Sequence, residues 1–273
     1  MAGLAEGKVT LVTGATSGIG RATALLFAKE GTKVVVDDIN VEGGEETVRM
    51  IKDAGGEAFF FRGDVRVASD MEALVNKTVD TYGRLDCAFN NAGILGPLGF
   101  ISDYTEEDWD NVMNTNLKGV WLCMKYEIPV MRRQRSGAIV NMASASAMVG
   151  LPLQPCYSAS KGSLVQLTKA ASLENCTANI RINVVLAGPT RTPLHLAHMG
   201  NDPNLAELRS LLVPMERIAE PEEIARTVVW LCSDGASFVT GHALVADGGW
   251  LAGQSLQQGM KLVAGAQALK GRQ

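Results

Sequence analysis

Tyr157 and Lys161 stand four positions apart in the run Tyr-Ser-Ala-Ser-Lys, and Ser144 lies thirteen residues before the tyrosine. If the run after Pro155 is helical, the phenol and the ammonium lie on one face, one turn apart. A free tyrosine has a pKa of about 10 and is a poor proton-transfer group at neutral pH. These residues therefore predict proton chemistry only if a neighbouring group lowers the pKa of the phenol.

The ammonium of Lys161 is the simplest group that can do so. One positive charge at roughly 4 Å, with an effective dielectric near 20, favours the phenolate by about 4 kcal/mol. That energy corresponds to about three pKa units and predicts a Tyr157 pKa of about 7. Ser144 would then hold the reacting oxygen by a hydrogen bond. The same spacing also fits a buried tyrosine beside a surface lysine, so the rest of the chain must decide between the two readings.

Seven short apolar runs alternate with helix-length amphipathic stretches along the chain. This alternation predicts an α/β fold with a parallel sheet covered by helices on both faces. With 273 residues and 47% hydrophobic content, the chain can bury one large core in a single domain. Helix starts are predicted at Thr105 and Glu220, where acids and a proline follow in the first turn. The apolar runs are 9–12, 34–36, 58–61, 85–89, 138–142, 180–186 and 243–246.

A glycine-rich junction follows the first predicted strand and precedes a helical stretch over 21–30. Its spacing is G-x-x-x-G-x-G, which departs from the GxGxxG fingerprint of dinucleotide-binding proteins. Glycines at such a junction let the backbone approach a pyrophosphate, whose charge then lies against the helix amino terminus. The position between strand and helix favours cofactor binding over an ordinary turn. The residues predicted to bind the cofactor here are Gly14, Thr16, Ser17, Gly18, Ile19 and Gly20.

The second predicted strand ends in two acids, Asp37 and Asp38. A carboxylate at this place can accept hydrogen bonds from both ribose hydroxyls of an adenosine, and it repels a 2′-phosphate. Asp38 is the better candidate, because the side chain of Asp37 points to the opposite face of the strand. Asp38 could instead cap the next helix, although Asn40 can fill that role. The pattern predicts NAD as the cofactor rather than NADP.

Polar segments also follow the third to sixth predicted strands, at 64–65, 90–93, 144 and 188–189. All of them lie at the carboxyl ends of strands. In an open α/β sheet, ligands bind at that edge, where the strand order reverses. The sequence therefore predicts one site at this edge of the sheet.

Taken together, these residues resemble the short-chain dehydrogenase/reductase superfamily, over nearly the whole chain from about Lys8 to Trp250. The motifs that carry the resemblance are 13–20, Asp64, 90–93, Asn116, Ser144, Tyr157-x-x-x-Lys161, Thr192 and 247–249. The resemblance implies a single-domain Rossmann fold with a doubly wound, seven-stranded parallel sheet. It also implies a nicotinamide dinucleotide and a homo-oligomer, typically a tetramer or dimer.

The resemblance further implies roles for four catalytic residues. Tyr157 would be the general acid or base, and Ser144 would orient the substrate oxygen. Lys161 would lower the tyrosine pKa and bind the nicotinamide ribose, and Asn116 would hold a water that links Lys161 to solvent.

The remaining cofactor contacts are implied in the same way. Two residues, Asp64 and Val65, would approach the adenine. The ribose and nicotinamide would be held by residues that follow the fourth and sixth strands, namely Asn90, Ala92, Gly93, Gly188, Thr190 and Thr192.

The segment 188–214 contains four prolines and is too long for an ordinary strand-to-helix loop, so it is predicted to be a substrate lid. With 94–104 and 145–156, it would frame a pocket whose apolar wall suits an uncharged secondary alcohol or ketone. The same side chains could simply be core packing. Residues 251–273 form a tail that would either wrap onto a neighbouring subunit or be disordered. The proposed wall consists of Ile94, Leu95, Met148, Val149, Leu151, Leu153 and Leu194.

Composition argues against several other classes of protein. A net charge of −4 with scattered Lys and Arg gives no basic surface for nucleic acid. No apolar run approaches the length of a membrane span, and no targeting signal is recognised at the start of the chain. Five dispersed cysteines without a CxxC pair argue against a zinc site and fit a cytoplasmic location. His195 and His198 lack a nearby third ligand, so they are predicted to lie in a solvated loop without a metal.

We therefore expect an NAD-dependent oxidoreductase that interconverts a secondary alcohol and a ketone, with Tyr157 as general acid or base. One alternative is an NADP-linked 3-oxoacyl-thioester reductase, which would share the tetrad but would normally need a basic residue where this chain has Asp38. The other is a non-catalytic nucleotide-binding regulator, which would be free to lose the catalytic residues that this chain retains.

Overall fold

A computed structural model describes residues 6–258 and 260 of the chain. At its centre lies a seven-stranded parallel sheet with the strand order β3-β2-β1-β4-β5-β6-β7. Each strand overlaps one of the predicted apolar runs, so the predicted parallel sheet is confirmed. The strands are β1 (Val9–Thr13), β2 (Lys33–Asp38), β3 (Glu57–Arg62), β4 (Cys87–Asn90), β5 (Gly137–Ser144), β6 (Ile180–Ala187) and β7 (Ala243–Ala246).

Helices connect the strands, and two of them follow the predicted N-cap residues Thr105 and Glu220. Thr105 caps a helix through a reciprocal capping box with Asp108, and Glu220 does the same with Glu223. Asn40 caps the helix after β2 by accepting a hydrogen bond from the amide of Gly43 at 3.2 Å. The helices are α1 (Gly18–Lys29), α2 (Val41–Asp53), α3 (Ala68–Tyr82), α4 (Glu106–Met113), α5 (Gly119–Gln134), α6 (Pro155–Asn175), α7 (Pro193–His198), α8 (Pro203–Leu208) and α9 (Pro221–Cys232).

Both faces of the sheet are buried, because alternate residues of each central strand enter different cores. In β1, Leu11 belongs to the core that also contains Leu164 of α6, whereas Val12 belongs to the core that contains Phe27 of α1. The strand order reverses between β1 and β4, which are direct neighbours. This doubly wound arrangement brings the loops after β1, β4 and β5 to one edge, the expected position of a ligand site.

The predicted lid over 188–214 is largely helical, with α7, α8 and a 3₁₀ turn over Arg209–Leu212. Thr192 caps α7 by accepting a hydrogen bond from the amide of His195 at 3.1 Å. Gln258 donates to the carbonyl of Leu211 at 3.0 Å, so the described part of the tail folds back onto the lid of its own chain. The rest of the predicted tail, residues 259 and 261–273, lies outside the described residues. Within the described part of the chain, no helix has the length and apolarity required to cross a bilayer.

Candidate active site

A cavity of about 750 Å³ lies at the carboxyl edge of the sheet, where it is lined by residues at or directly after the ends of β1 to β6. Its volume is typical of small-molecule and cofactor sites. Most of the predicted site residues meet there, although they come from distant parts of the sequence. They are Gly14, Ser17, Gly18, Ile19, Asp38, Asp64, Val65, Ala92, Gly93, Ser144, Tyr157, Lys161, Gly188, Thr190 and Thr192.

Thr16 and Gly20 do not line this cavity, and their assignment as cofactor contacts stays a prediction. Thr16 is buried and donates a hydrogen bond from Oγ1 to Oδ2 of Asp38 at 2.8 Å, so it orients that carboxylate. A Cβ atom at Gly20 would come within 2.0 Å of the carbonyl oxygen of Gly14. The glycine is therefore required for close packing of α1 against the loop.

Asn90 is also turned away from the cavity. Its Nδ2 atom donates to Glu127 and Asn141, each at 3.1 Å, in the buried interior behind the strand end. The side chain of Asn90 therefore does not point into the cavity, and its assignment as a cofactor contact stays a prediction. The neighbouring Asn91 lines the cavity instead, and its Nδ2 donates to the carbonyl of Gly14 at 3.0 Å.

The glycine loop has the geometry needed to hold a pyrophosphate. Gly14 and Gly18 have positive φ angles of 65° and 51°, which favour glycine. A Cβ atom at Gly14 would lie 2.8 Å from Cα of Ala92, and one at Gly18 would lie 3.0 Å from Cγ2 of Thr192. Ser17 makes no side-chain cap at the start of α1, so the first amides of this helix are available to an anion. These features fit a dinucleotide, with the loop and α1 holding its phosphates.

The opposite end of the cavity is acidic. Asp38 accepts hydrogen bonds from Thr16 and from the amide of Asn40 at 3.0 Å, and its remaining lone pairs are available to ribose hydroxyls. Burial raises the pKa of Asp37 well above its usual range, and the carboxylates of Asp38 and Asp64 add to that effect. The carboxylate of Asp38 would therefore repel an additional phosphate on the ribose.

Arg66 lines the same end of the cavity, but it is paired with Asp64. Its guanidinium lies 2.6 Å from Oδ2 of Asp64, and this hydrogen bond lowers the pKa of that carboxyl group. A second bond, at 3.2 Å, ties Arg66 to Asn111. The positive charge of Arg66 is therefore already neutralised by the carboxylate of Asp64.

Tyr157 and Lys161 lie in the same cavity as Ser144, at the end where α6 begins. The Nζ atom of Lys161 is 5.8 Å from the centroid of the Tyr157 ring and donates to the carbonyl of Met142 at 2.9 Å. Ser144 ends β5, and its Oγ accepts a hydrogen bond from the amide of Ser146 at 3.2 Å. The predicted helix and the shared orientation of phenol and amine are both confirmed.

The protonation of this pair differs from the sequence-based expectation. Burial lowers the pKa of Lys161 to about 8. Burial also raises the pKa of Tyr157 above its usual value, and a hydrogen bond with Ser144 opposes that rise. The expected Tyr157 pKa of about 7 is therefore wrong for the protein without a ligand. Burial disfavours the charged phenolate and raises the pKa of the phenol. At neutral pH the chain holds a neutral phenol beside an ammonium.

Asn116 is fully buried behind the cavity, in a π-helical turn over Asn114–Lys118 that joins α4 to α5. Its amide accepts from the backbone amide of Ile94 at 2.8 Å and donates to the carbonyl of Ile94 at 2.8 Å. It also donates to Ser160 of α6 at 3.1 Å. Asn116 therefore positions the loop after β4 against α6, and its side chain does not line the cavity.

The apolar wall is smaller than predicted. Ile94, Leu95, Leu151 and Leu194 line the cavity, whereas Met148, Val149 and Leu153 do not and are exposed to solvent. An uncharged, partly apolar ligand still fits this wall.

Four polar residues that the sequence analysis did not assign to the site also line the cavity. They are Gln154, Arg209, His195 and His198. His195 and His198 lie on a helix and are half-buried, so the expectation of a solvated loop is wrong. Burial lowers the pKa of His198, and the neighbouring Arg209 lowers it further. Across the described residues, no three His, Cys, Asp or Glu side chains are grouped so that they could hold a metal ion.

Comparisons with known proteins agree with this arrangement. Residues 14–251 match the sequence profile of a family described as enoyl-(acyl carrier protein) reductase. A 2,5-dichloro-2,5-cyclohexadiene-1,4-diol dehydrogenase from Sphingobium indicum is 42% identical, over 90% of this chain and 98% of its own length. A cyclohexanol dehydrogenase from an Acinetobacter species is also 42% identical, over 89% of this chain and 94% of its own length.

A solved structure supports the same conclusion. The crystal structure of a short-chain type dehydrogenase/reductase from Mycobacterium marinum has a TM-score of 0.85 and 31% identity, and the match covers 91% of this chain and 97% of that one. The relatives are named as enzymes that oxidise alcohols on rings, and the structural neighbour shares the fold that carries the site. The chain therefore belongs to the short-chain dehydrogenase/reductase superfamily and is an oxidoreductase that acts on CH–OH groups.

Proposed function

We propose that this protein is an NAD(H)-dependent dehydrogenase that interconverts small cyclic secondary alcohols and the corresponding ketones. The observation that carries the proposal is the meeting of Tyr157, Lys161 and Ser144 in a cavity continuous with the glycine loop. Proton transfer and dinucleotide binding thus share one space. The names of the two ring-alcohol dehydrogenases and the apolar wall formed by Ile94, Leu95 and Leu151 support a cyclic substrate.

Tyr157 takes the hydroxyl proton during oxidation and returns it during reduction. A bound nicotinamide supplies the acceptor or donor of the hydride and, when oxidised, a positive charge near the phenol. Ser144 donates a hydrogen bond to the substrate oxygen and fixes it beside the phenol. Lys161, held by the carbonyl of Met142, stabilises the phenolate electrostatically and donates to the nicotinamide ribose.

Asp38 supports the preference for NAD. Thr16 and Asn40 fix its carboxylate at the cavity wall. A 2′-phosphate placed there would be repelled, whereas two ribose hydroxyls could donate hydrogen bonds.

A second candidate is an NADP-linked 3-oxoacyl-thioester reductase. The description of the matching family names an acyl-carrier substrate, and such an enzyme would use the same tyrosine and lysine. Its cofactor would have to place a phosphate among the acids around Asp38, which disfavours it.

Steady-state kinetics with four combinations will distinguish these functions: cyclohexanol with NAD⁺ or NADP⁺, and acetoacetyl thioester with NADH or NADPH. We expect the highest kcat/KM for cyclohexanol with NAD⁺. Turnover restricted to the thioester with NADPH would establish the second candidate. NADH binding without any turnover would instead indicate a non-catalytic regulator.

A further inference from the structure

Gln154 is a buried polar residue that the tetrad chemistry does not use. It is only 2% exposed, yet it lines the same cavity as Ser144 and Tyr157. Its Nε2 atom is buried and makes no hydrogen bond with any part of the chain that the structure describes, and it does not cap α6. Because burying an unpaired amide opposes folding, such a group at a ligand cavity indicates a missing hydrogen-bond partner.

The backbone of Gln154 is held in place by two hydrogen bonds. Its amide donates to the carbonyl of Leu151 at 3.2 Å, and its carbonyl accepts from the amide of Ser158 at 3.0 Å. Leu153 has a φ of 64°, an unfavourable conformation for a leucine, and Pro155 begins α6 immediately afterwards. The turn therefore fixes the backbone of Gln154 at the start of α6, where the residue is buried.

The position of Gln154 places it close to the reacting end of the substrate. Gln154 is the N-cap residue of α6, Tyr157 lies in the first turn of that helix, and both residues line the cavity. Leu151 and Leu95 line the same cavity. A ring substrate with one oxygen at Tyr157 would share this cavity with the amide of Gln154. A primary amide both donates and accepts hydrogen bonds, so it suits a hydroxyl or a carbonyl oxygen equally.

We propose that Gln154 is a specificity-determining residue that hydrogen-bonds to a second oxygen of the substrate. The preferred substrates are then ring diols and hydroxyketones rather than alcohols with a single oxygen. This inference rests on the proposed ring-alcohol dehydrogenase function and extends it to a substrate class. A simple alcohol would leave the buried amide unpaired, and a site of this kind discriminates against ligands that lack the matching oxygen.

The test compares cyclohexanol with the 1,2-, 1,3- and 1,4-cyclohexanediols, using NAD⁺, in the wild type and in Gln154→Met. Methionine keeps the length of the side chain and removes the amide. We expect the wild type to prefer at least one diol over cyclohexanol by about tenfold or more in kcat/KM. The substitution should lower kcat/KM for that diol by about ten times more than for cyclohexanol.

Two controls make the comparison decisive. Gln166→Leu changes an exposed glutamine of the same helix and should leave the diol-to-cyclohexanol ratio unchanged. NADH binding, followed by fluorescence, shows that Gln154→Met retains its fold.

The possible failures are distinguishable. A wild type that oxidises cyclohexanol but prefers no diol, or a variant that loses both activities by the same factor, overturns the role of Gln154 while keeping the proposed function. A wild type that oxidises neither cyclohexanol nor any diol overturns the proposed function itself.

Discussion

Tyr157 and Lys161 lie in the same cavity, and burial shifts the pKa of each group towards its neutral form. The pKa of Lys161 is lowered to about 8, and that of Tyr157 is raised above its usual value. Alcohol oxidation needs the phenolate of Tyr157, which the ammonium of Lys161 stabilises. The chemistry of the site is therefore set by where this pair titrates.

The need for a phenolate predicts a pH dependence of opposite sign in the two directions. The kcat/KM for alcohol oxidation should rise as the pH increases into the alkaline range, because the phenolate of Tyr157 becomes populated. Ketone reduction should fall over the same range, because it needs the phenol. Initial rates at saturating cofactor measure both profiles, and a flat profile in either direction would argue against a tyrosine base.

Lys161→Met supplies the matched comparison for this profile. Removing the ammonium leaves the phenolate without its stabilising charge, so the rise in oxidation should move to higher pH. The same midpoint in the variant and the wild type would mean that Lys161 does not act on the phenol.

Asp38 predicts a change in cofactor preference. Hydrogen bonds to a charged acceptor contribute about 1.5–3 kcal/mol, so Asp38→Ala should lower kcat/KM for NAD⁺ by about 10- to 100-fold. The relative efficiency with NADP⁺ should increase, because a repulsive charge has been removed. Asp53→Ala, at the exposed end of α2, is the control and should leave the ratio unchanged. An unchanged ratio in Asp38→Ala would remove the basis for proposing NAD.

Helix α5 and strands β4 and β5 share a buried polar group behind the site. Glu127 is fully buried, and burial raises its pKa to about 8. Asn90 donates to one of its oxygens, while the other oxygen of Glu127 and the Oδ1 of Asn90 are unpaired. A protonated carboxyl supplies an O–H donor that a carboxylate lacks, so the neutral acid suits this interface better.

Glu127 therefore predicts how stability changes with pH. Its pKa in the folded protein is above the unfolded value, so the folded state binds the proton more tightly. The contribution of this group to stability is complete below the unfolded pKa and is lost as pH rises through about 8. Glu127→Gln keeps an uncharged hydrogen-bonding group and should be more stable than the wild type by about 1 kcal/mol or more near pH 8.

Urea unfolding near pH 5 and near pH 8 measures this difference, and the gap between variant and wild type should be larger at the higher pH. Glu45→Gln, at an exposed position of α2, is the control. A Glu127→Gln variant that is destabilised equally at both pH values would show that the buried carboxylate is ionised and paired.

The same elements show what sequence reasoning can and cannot reach. The strands and the capped helix starts at Thr105 and Glu220 follow from local patterns, and the i to i+4 spacing correctly placed Tyr157 beside Lys161. The protonation of that pair could not be read in this way, because burial is imposed by several distant elements at once.

Adjacent or irregular residues were the harder cases. Asn90 and Asn91 are chemically identical neighbours, and only the end of β4 decides which of them faces the cavity. The π-helical turn around Asn116 is a local departure from α-helical spacing that hydrophobic periodicity does not reveal. Gln154 belongs to no motif, and its importance is evident only from burial without a partner.

The molecule as a whole exposes large apolar side chains on its outer helices. Trp121 of α5 and Leu173 of α6 are exposed, the leucine by 76%, and so are Trp230 of α9 and Phe238 beyond it. The family resemblance implies that a second copy of the chain covers such exposed faces. We expect a homo-oligomer, either a tetramer or a dimer. The cytoplasmic location stays a prediction.

Light scattering coupled to size-exclusion chromatography tests this expectation. The wild type should have a mass of two or four times 29.0 kDa. Leu173→Glu places a charge on the exposed face of α6 and should shift the population towards smaller species, whereas a wild type that is monomeric at micromolar concentration would contradict the expectation.

The central claim is that Tyr157 transfers the substrate proton in a site built around a nicotinamide dinucleotide. Its most direct test is the turnover of cyclohexanol by Tyr157→Phe with NAD⁺, measured together with NADH binding. We predict that kcat falls by about 10²- to 10⁴-fold, because general acid–base catalysis is lost, while NADH affinity stays close to that of the wild type. Unchanged turnover in a variant that binds NADH normally would contradict the assignment of Tyr157.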